Sequence, residues 1–303
     1  MYDKIGNVVL NYDFYTGEDQ YCDGTIEDEL LTMVTEEQDV ISILKKDNRW
    51  PVLYHLSPVR QNIVEWYPLD KNMEVLEVGS GCGAVTGALC RKAGKVTCIE
   101  LSQKRSLINA NRNRDFSNLE IIVGNFNDVK LDKKFDCITL IGVLEYARYY
   151  TDTGNPFVDF LKNIRKMLKP HGVIMVAIEN KYGLKYFAGA REDHTGVYFD
   201  GIQGYKATDS KVYTFSKSQL ENVLKEAGYQ KQKFYYPFPD YKFPTEIFSD
   251  EYLPKPEDLA CSKETYDSSR RFLFDETAAF QEVVRSGEFP VFSNSYLVVA
   301  EQE

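Results

Sequence analysis

The spacing of apolar residues changes several times along the chain, and these changes predict its helices and strands. Residues 26–46 and 57–68 carry apolar side chains at helical spacing, which predicts helices ahead of the first core strand. From residue 73 onward, short apolar runs alternate with segments of helical spacing. The predicted strands are 73–81, 95–101, 119–125, 135–147 (which runs into a loop) and 173–180, and the helices among them are 84–94, 102–116 and 156–172.

This alternation of strands and helices is typical of right-handed βαβ units, in which a parallel sheet carries helices on both faces. The fold class predicted for the first half is therefore a doubly wound α/β domain. The boundaries predicted from the pattern are a helical N-terminal cap at 1–70 and one main domain at 71–303.

The regular pattern stops after Asn180 and returns only in part. A helix is predicted at 215–229, with Ser216 or Ser218 as its N-cap, and the last two strands are predicted at 231–238 and 294–301. Two long aperiodic stretches remain, which we predict to be insertions into the main domain. They are residues 183–214 and 238–291.

Composition and charge narrow the classes of partner. The chain has 303 residues and 43% hydrophobic residues, and its 46 acidic against 36 basic residues give a net charge of −10. An acidic surplus repels phosphate backbones, which argues against a nucleic-acid partner. No apolar run approaches the roughly 20 residues that span a bilayer, and no leader pattern opens the chain, so we predict a cytoplasmic protein without a membrane span. The six cysteines form no CxxC pair and are predicted to be free thiols.

The strongest chemical signal is a buried run that turns through three glycines, Gly79, Gly81 and Gly83, into a helix. Glycine lets the backbone turn sharply and approach a ligand closely, and the following helix offers unpaired N–H groups. The motif therefore predicts a nucleotide-like ligand. With Ala84 in the last position, the same spacing also fits a dinucleotide fingerprint, so an NAD-dependent dehydrogenase stays an alternative.

Polar residues at three strand ends favour an adenosine cofactor with a cationic group. Glu77 precedes the first glycine, where a carboxylate suits a cationic ligand better than a pyrophosphate. Glu100 ends the second predicted strand, where it can accept both ribose hydroxyls of NAD or of an adenosine cofactor. Asn125 and Phe126 follow the third strand, where they could bind the edge and the face of an adenine.

Together with the run at 135–147, these motifs resemble the class I S-adenosylmethionine-dependent methyltransferases, over residues 54–182 and 215–302. The resemblance implies a seven-stranded, mostly parallel Rossmann-like sheet with an antiparallel last strand, and S-adenosylmethionine as the cofactor. It also implies that Arg60 binds the cofactor carboxylate, as in the ubiquinone-biosynthesis branch, although Arg60 could instead be a solvated helix residue. Where the family usually has Asp, this chain has Asn125. The implied cofactor-binding residues are Arg60, Glu77, Gly79, Ser80, Gly81, Gly83, Glu100, Leu101, Asn125, Phe126, Ile141 and Gly142.

The acceptor is expected beyond the carboxyl ends of the strands. An alcohol acceptor needs a base, and the candidates are His194, oriented by its neighbour Asp193, or else Glu145. The sequence leaves this choice open, and His194 could equally serve to hold its own loop. No metal is predicted, because Asp193 and His194 are adjacent rather than at a recognised ligand spacing. The residues predicted to bind substrate are Tyr146, Asn180, Lys181, Tyr182 and Arg191.

Residues 179–205, 238–254 and 292–299 also resemble bacterial methyltransferases associated with cell-surface polysaccharide biosynthesis. This resemblance implies O-methylation of a sugar or glycan hydroxyl. The aromatic residues of the insertions could stack on sugar faces or form a local core. The alternatives are a methyltransferase for a small metabolite, a peptide or RNA, and a catalytically silent cofactor-binding scaffold.

Overall fold

The computed structural model describes residues 1–19, 24–37, 39–208, 210–261 and 270–302. The chain divides into two compact units, each described by itself below. The first comprises residues 1–140 and 167–173, and the second comprises residues 141–166 and 174–303. No helix in the described part of the chain is long and apolar enough to cross a membrane.

The first unit is built on a sheet whose strands run in the order β1-β2-β5-β4-β3-β6. All neighbouring pairs from β2 to β6 are parallel, whereas β1 pairs antiparallel with β2. The side chains of β3 are buried on both faces, as expected of a strand in the middle of a parallel sheet. The strands are β1 (Tyr2–Ile5), β2 (Val8–Phe14), β3 (Glu74–Val78), β4 (Lys95–Glu100), β5 (Leu119–Gly124) and β6 (Phe135–Ile141).

The helices of this unit follow the predicted apolar spacing, but they are shorter than predicted. The segment 26–46 forms two helices, because Asp39 starts the second one by accepting a hydrogen bond from the Ile41 backbone N–H at 3.1 Å. The helices are α1 (Ile26–Glu36), α2 (Val40–Lys46), α3 (Trp50–Leu56), α4 (Asn62–Glu65), α5 (Thr86–Lys92) and α6 (Gln103–Arg112), with a 3-10 helix at Pro58–Gln61.

The N-terminal region is not the purely helical cap predicted for residues 1–70. Residues 2–14 form the β1–β2 hairpin, and β2 pairs with β5 at the edge of the parallel strands. The hairpin turn passes through Gly6 at φ +58°, a conformation that glycine adopts without strain. Pairing with β5 buries Val8 and Leu10, a long-range contact that helical spacing further along the chain could not indicate.

The second unit contains strands in the order β7-β10-β8-β9, with β7 beginning in the first unit. The last strand of the chain, β10, pairs antiparallel with β8, and β8 pairs antiparallel with β9. The strands are β7 (Leu168–Glu179), β8 (Lys231–Phe238), β9 (Glu246–Ser249) and β10 (Ser295–Glu301). The helices are α7 (Ala147–Tyr150), α8 (Pro156–Lys166), α9 (Leu184–Phe187), α10 (Lys217–Glu226), α11 (Glu276–Arg285) and α12 (Phe289–Phe292), with 3-10 helices at Leu144–Tyr146 and Pro256–Asp258.

The predicted α/β class with parallel strands is therefore confirmed, whereas the predicted number of seven strands is wrong. The described residues form ten strands, and the three that were not predicted are β1, β2 and β9. Strand β9 lies inside the predicted insertion 238–291. The predicted helix 156–172 ends at Lys166, because the chain enters β7 at Leu168. Ser216 caps α10 in a capping box with Gln219, as one of the two predicted caps.

Candidate functional site

The glycine turn after β3 places its three glycines in the left-handed region of backbone conformation. The φ angles are +69° at Gly79, +52° at Gly81 and +74° at Gly83. A side chain at Gly83 would clash with Asn109 and Asn113, whose nearest atoms include the Asn113 amide nitrogen at 2.9 Å. A side chain at Gly81 would meet no atom within 4 Å. Packing therefore requires the third glycine, whereas the second faces open space in which a ligand has room to bind.

Glu100, at the end of β4, is tied to this turn by backbone donors. One carboxylate oxygen accepts a hydrogen bond from the Gly81 N–H at 2.7 Å, and the other accepts one from the Ser102 N–H at 3.0 Å. Burial raises the pKa of Glu100, against the opposing effects of Arg105 and the backbone N–H groups. Each carboxylate oxygen has a second lone pair, so the fixed carboxylate can still accept ligand hydroxyls.

Glu77 is a second buried carboxyl group in the same unit. It accepts hydrogen bonds from the Thr86 hydroxyl at 2.6 Å and from the Cys98 thiol at 3.3 Å. Burial raises the pKa of Glu77 to about 7, so a nearby cationic ligand would favour its ionised form. The contact of Glu77 with the cationic end of a cofactor stays a prediction.

Arg60 and Asn125 occupy more constrained positions than the sequence suggested. Arg60 is buried, its guanidinium lies 4.0 Å from the centre of the Tyr54 ring, and it donates to the Tyr54 carbonyl at 3.1 Å. The alternative of a solvated Arg60 is therefore wrong, while its contact with a cofactor stays a prediction. The Asn125 side chain accepts a hydrogen bond from the Asn127 N–H at 3.0 Å, which shapes the turn after β5.

The remaining residues predicted to bind the cofactor have the following surroundings. The Ser80 hydroxyl accepts a hydrogen bond from the Asn109 side chain at 3.2 Å. Leu101 and Phe126 are half-buried and follow β4 and β5. Ile141 and Gly142 belong to the second unit, where Gly142 adopts φ +70° and its N–H donates to the Ala177 carbonyl at 2.9 Å.

The second unit contains a cluster of buried charges around Glu179, the last residue of β7. One Glu179 oxygen accepts hydrogen bonds from the Tyr241 hydroxyl at 3.1 Å and from the Lys242 ammonium. The other oxygen lies 3.4 Å from Nε2 of His194. Lys242 and His194 hold the pKa of Glu179 well below its usual range, outweighing the effect of burial. Glu179 is thus an ionised carboxylate inside the protein.

His194 is held on both sides of its ring. Its Nδ1 lies 3.1 Å from the Tyr146 hydroxyl, opposite the contact with Glu179. Burial alone would lower the pKa of His194, but the charge and hydrogen bond of Glu179 outweigh burial and raise it to about 9. The Glu192 carboxylate accepts hydrogen bonds from the backbone N–H groups of His194 and Thr195, at 2.8 and 2.7 Å, which fixes the turn. At neutral pH, His194 and Glu179 form an ion pair.

Asp193 does not orient His194 in the way the sequence suggested. Its carboxylate lies 2.9 Å from the Lys185 ammonium and 3.2 Å from that of Lys242, and it accepts the Tyr186 hydroxyl. The adjacent side chains of Asp193 and His194 have different partners. The carboxylate beside the His194 ring is therefore that of Glu179 and not that of Asp193. These lysines hold the pKa of Asp193 well below its usual range, despite burial.

Glu145 differs from the other buried acids because neither of its carboxyl oxygens has a hydrogen-bond partner among the described residues. It lies in the 3-10 helix after β6, with 1% of its surface exposed, and its backbone carbonyl accepts the Tyr213 N–H at 3.1 Å. Burial, assisted by the charge of Glu179, raises the pKa of Glu145 to about 8. A buried polar group without a partner calls for a ligand or a water molecule in its place.

Glu145, Glu179 and His194 each offer one atom that lies within 4.8 Å of the other two, so this cluster could hold a metal ion. However, both Glu179 oxygens already contact donors from the protein, one of which is the Lys242 ammonium. We therefore assign no metal to the cluster, and the absence of a metal stays a prediction.

The other residues predicted to bind substrate differ in their surroundings. The Asn180 amide donates to the carbonyls of Val291 and Ser293, both at 2.7 Å, and so holds the segment before β10. Lys181 is buried, and its ammonium lies 5.7 Å from the centre of the half-buried Tyr182 ring. Arg191 is exposed and donates to the Gly196 carbonyl of its own loop at 2.9 Å. Tyr146 is the member of this set that contacts His194.

Sequence reasoning did not find Glu179, Lys185, Tyr241 or Lys242. Glu179 carried a usable signal, because it ends a buried strand on the side of the sheet where ligands bind in α/β folds. Tyr241 and Lys242 lie in the aperiodic stretch 238–291, where no local pattern distinguishes them.

Comparison with known proteins agrees with the predicted class. A family described as Methyltransferase domain matches residues 76–174. The chain is 29% identical over 134 residues to the mitochondrial ubiquinone biosynthesis O-methyltransferase of Dictyostelium discoideum, covering 40% of this chain and 39% of that protein. It is 35% identical over 146 residues to ribosomal RNA small subunit methyltransferase A of Streptococcus gordonii, covering 40% of this chain and 50% of that protein.

A solved structure is similar in fold. Phosphoethanolamine N-methyltransferase 1 of Haemonchus contortus, in complex with phosphoethanolamine and S-adenosylhomocysteine, has a TM-score of 0.50 and 14% identity, covering 93% of this chain and 50% of that one. The chain spans well under two thirds of the curated relatives above. The match over residues 76–174 thus supports the predicted enzyme class, a methyltransferase, and S-adenosylmethionine as the cofactor.

Proposed function

We propose that this protein transfers the methyl group of S-adenosylmethionine to a hydroxyl oxygen, with Glu145 as the group that receives the hydroxyl proton. The observation that carries the proposal is the buried carboxyl group of Glu145, whose two oxygens have no partner among the described residues. A sulfonium donor makes methyl transfer an in-line displacement, so the enzyme must align the acceptor and, for an alcohol, remove its proton.

The residues of the first unit fit the cofactor. Gly81 has open space beside it, the fixed Glu100 carboxylate can accept ribose hydroxyls, and Glu77 suits the methionine ammonium. When bound, S-adenosylmethionine supplies the electrophilic methyl group. The Glu100 carboxylate could equally accept the ribose hydroxyls of NAD, so incubation with the nicotinamide cofactor, followed by absorbance, is the control that separates the two cofactors.

The residues of the second unit supply the chemistry for the acceptor. As the acceptor oxygen bonds to the methyl carbon, the bond from that carbon to sulfur breaks, and the hydroxyl proton passes to Glu145. A carboxyl group with a pKa near 8 is well matched to this task at slightly alkaline pH. His194 and Glu179 act as positioning residues, because their opposite charges set the pKa of Glu145 in opposite directions.

For the acceptor, we propose a sugar or glycan intermediate of cell-surface polysaccharide biosynthesis. The support is the resemblance of residues 179–205 and 238–254 to methyltransferases of that class, and the tyrosines that line the charged cluster. Tyr146, Tyr186 and Tyr241 each hydrogen-bond a member of this cluster. The second candidate is a hydroxyl group of an intermediate in ubiquinone biosynthesis, which the match to a ubiquinone biosynthesis O-methyltransferase favours.

The test is transfer of a labelled methyl group to three acceptors: a methyl glycoside, catechol and a primary amine. We expect labelling of a hydroxyl acceptor, and we expect Glu145→Gln to lower turnover about 1,000-fold while the affinity for S-adenosylhomocysteine stays unchanged. Glu246→Gln, an exposed acid of the same unit, is the matched control. Labelling of the amine alone, or full turnover by Glu145→Gln, would contradict the proposal. A parallel assay with a chelator tests the prediction that no metal is needed.

A further inference from the structure

Lys181 is the buried lysine of the second unit that has no acidic partner among the described residues. It follows β7 directly, and 4% of its surface is exposed. Its ammonium donates to the Tyr213 hydroxyl at 3.1 Å and lies 4.7 Å from the centre of that ring. No ion pair of Lys181 with a described acid occurs in the structure.

Two other lysines of the same unit, Lys185 and Lys242, form ion pairs with acidic residues. Lys185 lies 2.9 Å from Asp193 and 2.7 Å from Asp240, and Lys242 contacts Glu179 and Asp193. Lysine is rarely buried unless its charge is paired, because desolvation of an ammonium is costly. Tyrosine rings and one hydroxyl offset that cost only in part. Within the described part of the chain, Lys181 therefore lacks the acidic partner that Lys185 and Lys242 have.

The surroundings of Lys181 add positive charge rather than negative charge. The guanidinium of Arg148 lies 5.1 Å from the centre of the same Tyr213 ring. Arg148 is exposed, so one of the two cations is buried and the other faces solvent. Two cations beside one ring attract an anionic group of a ligand more strongly than they attract a neutral hydroxyl group of a ligand.

The backbone connects this position to the proposed reaction site. The Tyr213 N–H donates to the Glu145 carbonyl at 3.1 Å, and the Lys181 N–H donates to the Phe215 carbonyl at 3.2 Å. Tyr213 therefore contacts Lys181 through its side chain and Glu145 through its backbone. A ligand bound at Lys181 would therefore be separated from Glu145 by a single residue, Tyr213.

We propose that Lys181, with Tyr213 and Arg148, forms a subsite for an oxyanion of the acceptor, so that the methylated molecule is an acidic one. The ammonium has N–H groups beyond the one bonded to Tyr213, and a carboxylate or a phosphate accepts such bonds. This inference rests on the proposed function and narrows its substrate class, from sugars in general to sugars that carry a carboxylate or a phosphate.

The experiment measures the binding of D-glucuronic acid, D-glucose 1-phosphate and D-glucose by ligand-observed NMR, with S-adenosylhomocysteine present. We expect at least one anionic sugar to bind about 10-fold more tightly than glucose, and we expect Lys181→Met to remove that preference. Lys181→Arg, which keeps the charge, should retain part of it. The relative affinities of the two anions decide between a carboxylate and a phosphate.

The matched control is Lys211→Met. Lys211 is exposed, and its ammonium lies 5.7 Å from the centre of the Tyr149 ring, so the substitution removes a lysine near a tyrosine outside the subsite. Equal binding of all three sugars by the unsubstituted protein, or an anion preference that survives Lys181→Met, overturns the inference. Calorimetry with S-adenosylhomocysteine on each variant reports whether its fold is intact. If the unsubstituted protein does not bind S-adenosylhomocysteine, that result overturns the proposed function instead.

Discussion

The two units hold their buried carboxylates in different ways. In the first unit, Glu100 accepts hydrogen bonds from backbone N–H groups, and Glu77 accepts them from a hydroxyl and a thiol. In the second unit, Glu179 is bonded by the Lys242 ammonium, 63 residues away along the chain, and lies beside His194. Backbone donors suit recognition of one constant ligand, whereas ionised side chains around Glu179 act on the pKa of the neighbouring Glu145. The proposed function accordingly uses the first unit for binding the cofactor and Glu145 in the second unit for receiving the proton.

The largest loss of cofactor affinity is expected from Gly81→Val, which tests whether the open space in the first unit is the cofactor site. The side chain would enter that space and would also be strained at φ +52°, so we expect affinity for S-adenosylhomocysteine to fall at least about 100-fold. Calorimetry measures the change. Gly17→Val is the matched control, because Gly17 also has a positive φ, at +94°, and open surroundings. An equal loss in both variants would show that strain alone is responsible.

A smaller loss of affinity is expected from Glu100→Gln. The substitution removes the charge that would strengthen hydrogen bonds with ribose hydroxyls, so affinity for S-adenosylhomocysteine should fall about 30-fold. If the first unit binds and the second transfers the proton, saturating cofactor restores turnover in this variant. A turnover defect that persists at saturation would contradict the division of roles.

The pH dependence of kcat/KM tests the second unit. The value of kcat/KM should rise with pH through about 8, where Glu145 is half ionised, and level off at higher pH. Glu179→Gln removes a negative neighbour and lowers the pKa of Glu145, so the rise should move to lower pH by about one unit. His194→Gln removes a positive neighbour of Glu145, so the rise in kcat/KM should move to higher pH. Shifts in the same direction in both variants would refute the charge argument, and His171→Gln, at an exposed histidine of β7, is the control.

The smallest effect is expected on stability. Because the pKa of Glu145 is raised to about 8, the folded protein keeps a proton that the unfolded chain loses above about pH 4.5. Stability therefore falls as pH rises between these values, and Glu145→Gln, which does not titrate, should escape that contribution. Between pH 5 and 8, Tm of the unsubstituted protein should fall roughly 5 °C more than that of Glu145→Gln. Thermal unfolding with Glu246→Gln as the reference measures this difference. If Tm of the unsubstituted protein and Tm of Glu145→Gln change equally with pH, the prediction that folded Glu145 keeps its proton is wrong.

Features of the fold that depend on local pattern were predictable from the sequence. Strands β4 and β5 lie within one residue of their predicted ends, and the parallel order follows from the alternation with helices. Strands β1, β2 and β9 were not predictable in the same way. Strand β2 is stabilised by pairing with β5, more than 100 residues away, and β9 lies in a stretch without periodicity.

The sequence alone determined the glycine turn and the neighbouring carboxyl groups of the proposed cofactor site. The three glycines, Glu77 and Glu100 lie within 24 residues of one another, and a hydrogen bond within that segment joins Gly81 to Glu100. Short-range geometry fixes such a turn, so its residue types and spacing are enough to predict it, while its contact with a cofactor stays a prediction.

Only the tertiary structure decided the acceptor side. The sequence favoured His194 as the base, kept Glu145 as the alternative, and paired His194 with Asp193, its neighbour in the chain. In the folded chain Asp193 instead contacts Lys185 and Lys242, Glu179 lies beside His194, and the Glu145 carboxyl group has no hydrogen-bond partner among the described residues. The physical reason is that buried charges choose partners by distance in space and by the cost of desolvation, and neither can be read from order along the chain.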